Sequence, residues 1–90
     1  MHTKDKKLER VLKALGNARR LVIIRFLKNK KRASVGRIAE ELNISFKATS
    51  KHLALLTSTE ILTKEQRRNY MIFELHPEVP EAAVSIIRLL

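Results

Sequence analysis

Ser45-Phe46-Lys47-Ala48-Thr49-Ser50-Lys51-His52-Leu53-Ala54-Leu55-Leu56 is the stretch whose reading decides the fold. Stepped at about 100° per residue, it forms an amphipathic helix. Phe46, Thr49, His52, Leu53 and Leu56 fall on one side, with Ala48 and Leu55 near its edge. Lys47, Ser50, Lys51 and Ala54 fall opposite, and Ser45 stands where a cap belongs. A helix docked on a core does not need two lysines, a serine and a small alanine on its outer face. A helix lying in a DNA major groove does, because small residues permit approach and Lys or Ser reach phosphates or base edges. The competing reading is an ordinary solvated face, so the neighbouring segments have to decide.

Upstream, Ser34 caps a short helix over residues 35–42, with Val35, Ile38, Ala39 and Leu42 inward. Gly36 within it costs roughly 1 kcal/mol relative to alanine. Asn43 follows the last inward leucine, where a left-handed residue commonly ends a helix. The result is helix, short turn, helix. Downstream, residues 61–65 and 70–75 read as two short strands, joined by Gln66-Arg67-Arg68-Asn69. Met71, Phe73 and Leu75 share one face of the second strand, and Tyr70, Ile72 and Glu74 the other. A ribbon tipped by Arg67 and Arg68 suits a phosphate or minor-groove contact, although a solvated turn would be polar as well.

Further out, Leu8, Val11, Leu12 and Leu15 recur at helical spacing over residues 8–15, and Gly16 closes that helix. Asn17 caps the next, from Ala18 to about Lys28. Its segment Leu21-Val22-Ile23-Ile24-Arg25-Phe26-Leu27 is rich enough in β-branched residues for a strand. The flanking Arg19, Arg20 and Lys28 and the Asn17 cap favour a buried central helix instead. Asn29-Lys30-Lys31-Arg32 reads as a basic loop. Pro77 and Pro80 lead into a last helix over residues 81–90, with Glu78 and Glu81 near its positive end. That helix is apolar on most sides and needs cover. It can pack on its own core or against the first helix of a second subunit, and two-fold symmetry on palindromic DNA favours the second arrangement. The expected subunit contacts are Leu8, Val11, Val84, Ile87 and Leu90.

Ninety residues with a formal net charge of +10 suggest one domain, residues 1–90, and a polyanionic partner. The chain has no cysteine, so disulfides, thiolate metal sites and thiol redox sensing within it are excluded. Apolar runs fall short of the ~18 residues that span a membrane. The basic start, Met1 to Lys7, has no apolar signal core behind it. These features fit the cytoplasm, on the nucleoid.

Taken in order, these motifs resemble the ArsR/SmtB-type family of winged helix-turn-helix repressors. Leu12-Lys13-Ala14-Leu15-Gly16-Asn17, with Arg20-Leu21 and Ile24, is similar to the family's opening segment. Ile38-Ala39-Glu40-Glu41-Leu42-Asn43-Ile44-Ser45 resembles its helix and turn, with Asn43 in the usual glycine's place. Ser50-Lys51-His52-Leu53, with Leu55-Leu56, resembles the recognition-helix signature, and Arg67 to Leu75 the basic wing. The likeness runs from about Leu12 to Leu75. It implies a mainly α fold, α1-α2-α3-α4-β-hairpin-α5, as a homodimer joined by its terminal helices. It also implies DNA contacts by Lys47, Ser50 and Lys51, with Ser45 at the helix start, and by Arg67 and Arg68 in the wing. His52 matches the family histidine but lies on the inward side, so it reads as a packing or phosphate-adjacent residue.

Two departures stand out. Thr59-Glu60 occupies the place of a common Ala-Gly. A left-handed Glu60 would cost on the order of 1 kcal/mol. The wing tip also lacks a glycine, although Asn69 tolerates a left-handed conformation. Metal-sensing relatives carry a cysteine pair where Ala33-Ser34-Val35-Gly36-Arg37 stands here, or Asp and His on the last helix, which offers no histidine. His76, near Glu78, reads as a surface residue, and no metal or cofactor is expected.

The leading expectation is a sequence-specific DNA-binding repressor acting by promoter occlusion. Thirteen of the nineteen Lys and Arg lie at or before Arg37. That distribution equally suits a nonspecific nucleoid or RNA-binding protein, and a module for an acidic protein partner is the third option. Paired carboxylates, a nucleophile with its base and a phosphate-binding glycine loop are all missing, so an enzyme is not expected.

Overall fold

The computed structural model describes residues 2–90. Among these residues, five helices and three strands follow one another as α1 (Thr3–Leu15), α2 (Ala18–Lys30), β1 (Arg32–Ser34), α3 (Val35–Leu42), α4 (Phe46–Ser58), β2 (Leu62–Arg67), β3 (Tyr70–Leu75) and α5 (Glu81–Leu89). The mainly α fold with a hairpin is therefore as the sequence indicates, with one element more. Among the described residues no helix is long and apolar enough to cross a membrane.

Helix α2 is the centre of the molecule. Asn17 starts it by accepting a hydrogen bond from the Arg20 backbone N–H through Oδ1 (3.1 Å). Its Ile23, Ile24, Phe26 and Leu27 are buried, in contact with α1, α3, α4, α5 and the sheet. The apolar run is thus a core helix and not a strand. It runs two residues beyond the expected end and stops at Lys31, which turns the chain with a φ of 79°. The basic loop expected here is interrupted by β1. Arg32, Ala33 and Ser34 pair antiparallel with Glu74, Phe73 and Ile72, giving a sheet in the order β1-β3-β2. Three residues with one buried alanine carry too little alternation to announce a strand. It exists because β3 offers a free edge and Ala33 fits against Phe73.

Helix α1 begins at Thr3, five residues before the apolar stripe, because His2 caps it through Nδ1. Its Val11, Ala14 and Leu15 enter the core. Gly16 closes α1 but with a φ of −81°, so that glycine is not in the left-handed region. Leu53 and Leu56 of α4, Ile38 of α3 and the adjoining Ile61 and Leu62 complete the centre, all fully or almost fully buried. Helix α5 lies on α1 and α2. Only Ala83 is fully buried there, and Lys28 Nζ donates to the Ile87 carbonyl near its end (3.0 Å).

Candidate nucleic-acid interface

The turn between α3 and α4 is built by caps. Ser34 Oγ accepts from the Arg37 N–H (3.2 Å) and starts α3. Asn43 ends it in the left-handed conformation, φ 55° and ψ 46°. Its N–H bonds to the Glu40 carbonyl and that of Ile44 to Ala39, the paired closure of a Schellman motif. One residue later Ser45 Oγ accepts from the Ala48 N–H (3.0 Å), and Thr49 Oγ1 donates to the Ser45 carbonyl (2.9 Å). Asn43 and Ser45 take the roles that the sequence assigns them.

The far end of α4 is locked in the same way. Glu60 has a φ of 61°, the left-handed conformation that the sequence makes costly. The Glu60 N–H bonds to the Thr57 carbonyl and that of Ile61 to Leu56, a second Schellman motif. Ile61 and Leu56 are both buried, so apolar burial offsets the strain of roughly 1–2 kcal/mol for a left-handed L-residue. Thr59 Oγ1 adds bonds to the Leu55 and Leu56 carbonyls (3.1 Å each).

Between these ends Thr49, Leu53 and Leu56 are buried, while Lys47, Lys51 and Ala54 are exposed and Ser50 is half-buried. The structure therefore brings Lys47, Ser50 and Lys51 onto one outward surface. Phe46 departs from the sequence reading: assigned to the inward side, it is 63% exposed. Its angular position borders the core, but it is the first residue of α4, ahead of the buried stretch that begins at Thr49. Leu55, at the edge, is exposed as well.

His52 is half-buried and belongs to a junction that the sequence does not reveal. Arg20 Nε donates to the Ala14 carbonyl (2.6 Å) and Nη2 to that of Lys13 (3.0 Å). Its Nη1 lies 3.3 Å from His52 Nδ1. One guanidinium thus ties the end of α1 to the middle of α4. An arginine only donates, so Nδ1 accepts and the ring proton sits on Nε2. Burial, then the charges of Arg20 and Arg19, hold the His52 pKa below its ordinary 6.5. Hydropathy spacing carries no mark of Arg20's role; only the Arg20-Leu21 match to the family segment hints at it.

The hairpin pairs Leu62 through Arg67 with Leu75 through Tyr70. Every residue from Lys64 to Tyr70 is exposed, and Arg67 and Arg68 stand at the tip. Gln66 and Arg67, expected in the connection, instead extend the ladder opposite Met71 and Tyr70 and leave only Arg68 and Asn69 in the loop. Lys64 and Tyr70 are further exposed groups that the sequence reading passed over. Arg67 Nε donates to Glu65 Oε2 (3.1 Å), a surface pair worth about 0–1 kcal/mol and easily exchanged for a phosphate. The positive φ falls on Arg68 (50°) and not on Asn69, correcting the expectation. A two-residue hairpin loop with one left-handed residue at its first position is where glycine is preferred. Gln66 Nε2 braces the turn by donating to the Arg68 carbonyl (3.0 Å).

The expected subunit contacts divide. Leu8 is 46% exposed and Leu12, one turn on, 51%, and Leu89 on α5 is 81% exposed. Val84, Ile87 and Leu90 are half-buried, whereas Val11 is buried within its own subunit's core. Leu12 and Leu89 therefore offer more free surface than Val11. Among the described residues no three His, Cys, Asp or Glu side chains are grouped to hold a metal.

No protein-family model and no curated protein sequence matches the chain. Solved structures do. Reduced HlyU from Vibrio cholerae is 30% identical with a TM-score of 0.78, covering 97% of this chain and 87% of that one. The transcriptional regulator HlyU from Vibrio vulnificus is 31% identical with a TM-score of 0.75, over 96% and 85%. Mb0332 from Mycobacterium bovis, described as a homodimeric winged helix-turn-helix DNA-binding domain of a possible ArsR-family regulator, is 23% identical. Its TM-score is 0.75, over 93% and 74%.

Proposed function

This chain belongs to the ArsR/SmtB-type family of winged helix transcriptional regulators, and from that premise we propose that it is a sequence-specific, homodimeric repressor of palindromic DNA. Residues 1–90 act as one DNA-binding unit on the cytoplasmic nucleoid, without catalysis and without a cysteine sensing site. The observation that carries this reading is the two-sided character of α4: Thr49, Leu53 and Leu56 are buried while Lys47 and Lys51 are free. A helix fixed so firmly on one side holds its opposite side chains in place for base edges. Ser45, Lys47, Ser50 and Lys51 face the major groove, and Arg67 and Arg68 take the flanking backbone. Occupying a promoter in this way suffices to repress it.

The second subunit covers Leu8 and Leu12 of α1 and Val84, Ile87, Leu89 and Leu90 of α5, with Val11 supporting them from beneath. Apolar side chains this exposed on adjacent helices favour such cover. Leu12→Glu, at a site with space around it in the monomer, should sediment as a monomer; an unchanged dimer places the interface elsewhere.

A second reading, nonspecific nucleic-acid binding, is favoured by the cations outside α4 and the hairpin: thirteen of nineteen lie at or before Arg37. Selection of DNA from a random pool, followed by a salt series, separates the two. A specific reader prefers its selected site over bulk DNA by ~10³ or more at physiological salt. No preference would leave the nonspecific reading.

A further inference from the structure

Phe46 is the first residue of α4, set between the capping Ser45 and the exposed Lys47. The residue is 63% exposed. Single exposed apolar residues are common and need no explanation by themselves. What distinguishes this one is its place and its isolation. One turn further along the helix stand Thr49, buried with its hydroxyl on the Ser45 carbonyl, and Ser50, half-buried at the margin of the outward surface. No apolar patch therefore grows from the ring along α4. The leucines suited to a second subunit, Leu8, Leu12 and Leu89, are on α1 and α5. A lone ring flanked by Ser45, Lys47 and Ser50 is a poor protein-docking surface.

It is well suited to a duplex groove. The N-terminal residues of a reading helix are the ones that reach base edges. In the major groove, thymine is the base that presents a methyl group, and an apolar side chain is what recognises it. Arg, Lys and Ser read the other edges through hydrogen bonds, which a phenyl ring cannot make.

We propose that Phe46 is a specificity-determining residue, packing its ring on the C5-methyl of one thymine in each half-site. This rests on the reading of α4 as the groove helix and adds the base that its first residue selects. Ring and methyl lose water together on binding. Burial of one methyl-sized group corresponds to about fourfold in affinity per half-site.

The test uses the full chain and an operator selected from a random pool. Each thymine is replaced in turn by deoxyuridine, which lacks only the methyl, symmetrically in both half-sites. Wild type should lose about fourfold per half-site at one thymine position, and Phe46→Ala should be indifferent to the replacement there. Phe46→Leu, which keeps an apolar contact, should retain part of the sensitivity. Because the ring is exposed, the unfolding midpoint of Phe46→Ala should stay close to wild type. Equal deoxyuridine effects on wild type and Phe46→Ala at every position would overturn the proposal while leaving the DNA reader intact. Loss of dimerisation in Phe46→Ala would assign the ring to a subunit contact and overturn it too. A wild type that enriches no sequence at all would instead remove the reader, and Phe46's role with it.

Discussion

Helix α4 is held along its whole length, whereas the β2–β3 hairpin is held only at its root. Ser45 caps one end of the helix, and Thr59 and the Leu56–Ile61 closure fix the other. Leu53 anchors its middle and Arg20 braces it through His52. The hairpin tip has its ladder, the Glu65–Arg67 pair and one hydrogen bond donated by the Gln66 side chain, and seven consecutive residues exposed to water. The contrast matches two demands of DNA recognition. Reading a base edge needs a donor or acceptor placed to a fraction of an ångström. Holding a phosphate needs only a cation within reach, since the backbone charge is the same at every step.

The contrast can be broken most severely from beneath α4. Leu53→Ala should destabilise the fold by about 2–5 kcal/mol, read as the urea midpoint, and should reduce DNA binding in proportion to the fraction unfolded. A cost below about 1 kcal/mol would mean that α4 is not anchored as described. Arg20→Ala removes one donor from each of two carbonyls and from His52, with an expected loss of roughly 1–3 kcal/mol and weaker operator binding at temperatures where the chain stays folded. Unaltered operator binding would show that the brace does not position α4.

The two left-handed residues sharpen the comparison. Glu60→Gly and Arg68→Gly each relieve an unfavourable φ and should stabilise locally by up to about 1 kcal/mol. At Glu60 the gain should appear in global unfolding, because the turn is fused to the core through Ile61. At Arg68 it should appear only as slower amide exchange in the hairpin, which opens before the rest. Identical global gains would make the tip as integral as α4.

The smallest effect concerns acid. His52 holds its proton less tightly folded than unfolded, so below about pH 6.5 the unfolded chain binds more protons and stability falls. Wild type should therefore lose more stability than His52→Gln between pH 7.5 and 5.5, above the losses common to both. Parallel pH profiles would contradict the depressed pKa.

The same contrast explains what the sequence revealed. The α4 surface was legible because Leu53, Leu56, Lys47 and Lys51 follow one helical period, and the caps Asn17, Ser34, Asn43 and Ser45 are local signals that the chain obeys. Phe46 was misplaced because periodicity gives a direction, not whether any neighbour lies there. Strand β1 was missed because Arg32-Ala33-Ser34 owes its conformation to Phe73, some forty residues away. Arg20's bond to His52 spans a similar separation and leaves no periodic trace. At the tip, Arg68 rather than Asn69 takes the positive φ because hairpin register sets which loop residue turns, and register is a property of the pair of strands.

The division of labour between α4 and the hairpin is tested most directly by one ratio: affinity for a selected operator over affinity for bulk DNA, at fixed physiological salt, in wild type, Lys51→Ala and Arg67→Ala. The ratio should fall about tenfold in Lys51→Ala, the size of one lost base contact. In Arg67→Ala it should stay constant while both affinities drop and the salt slope flattens by about one counter-ion. Equal, sequence-blind losses at both positions would contradict base reading by α4.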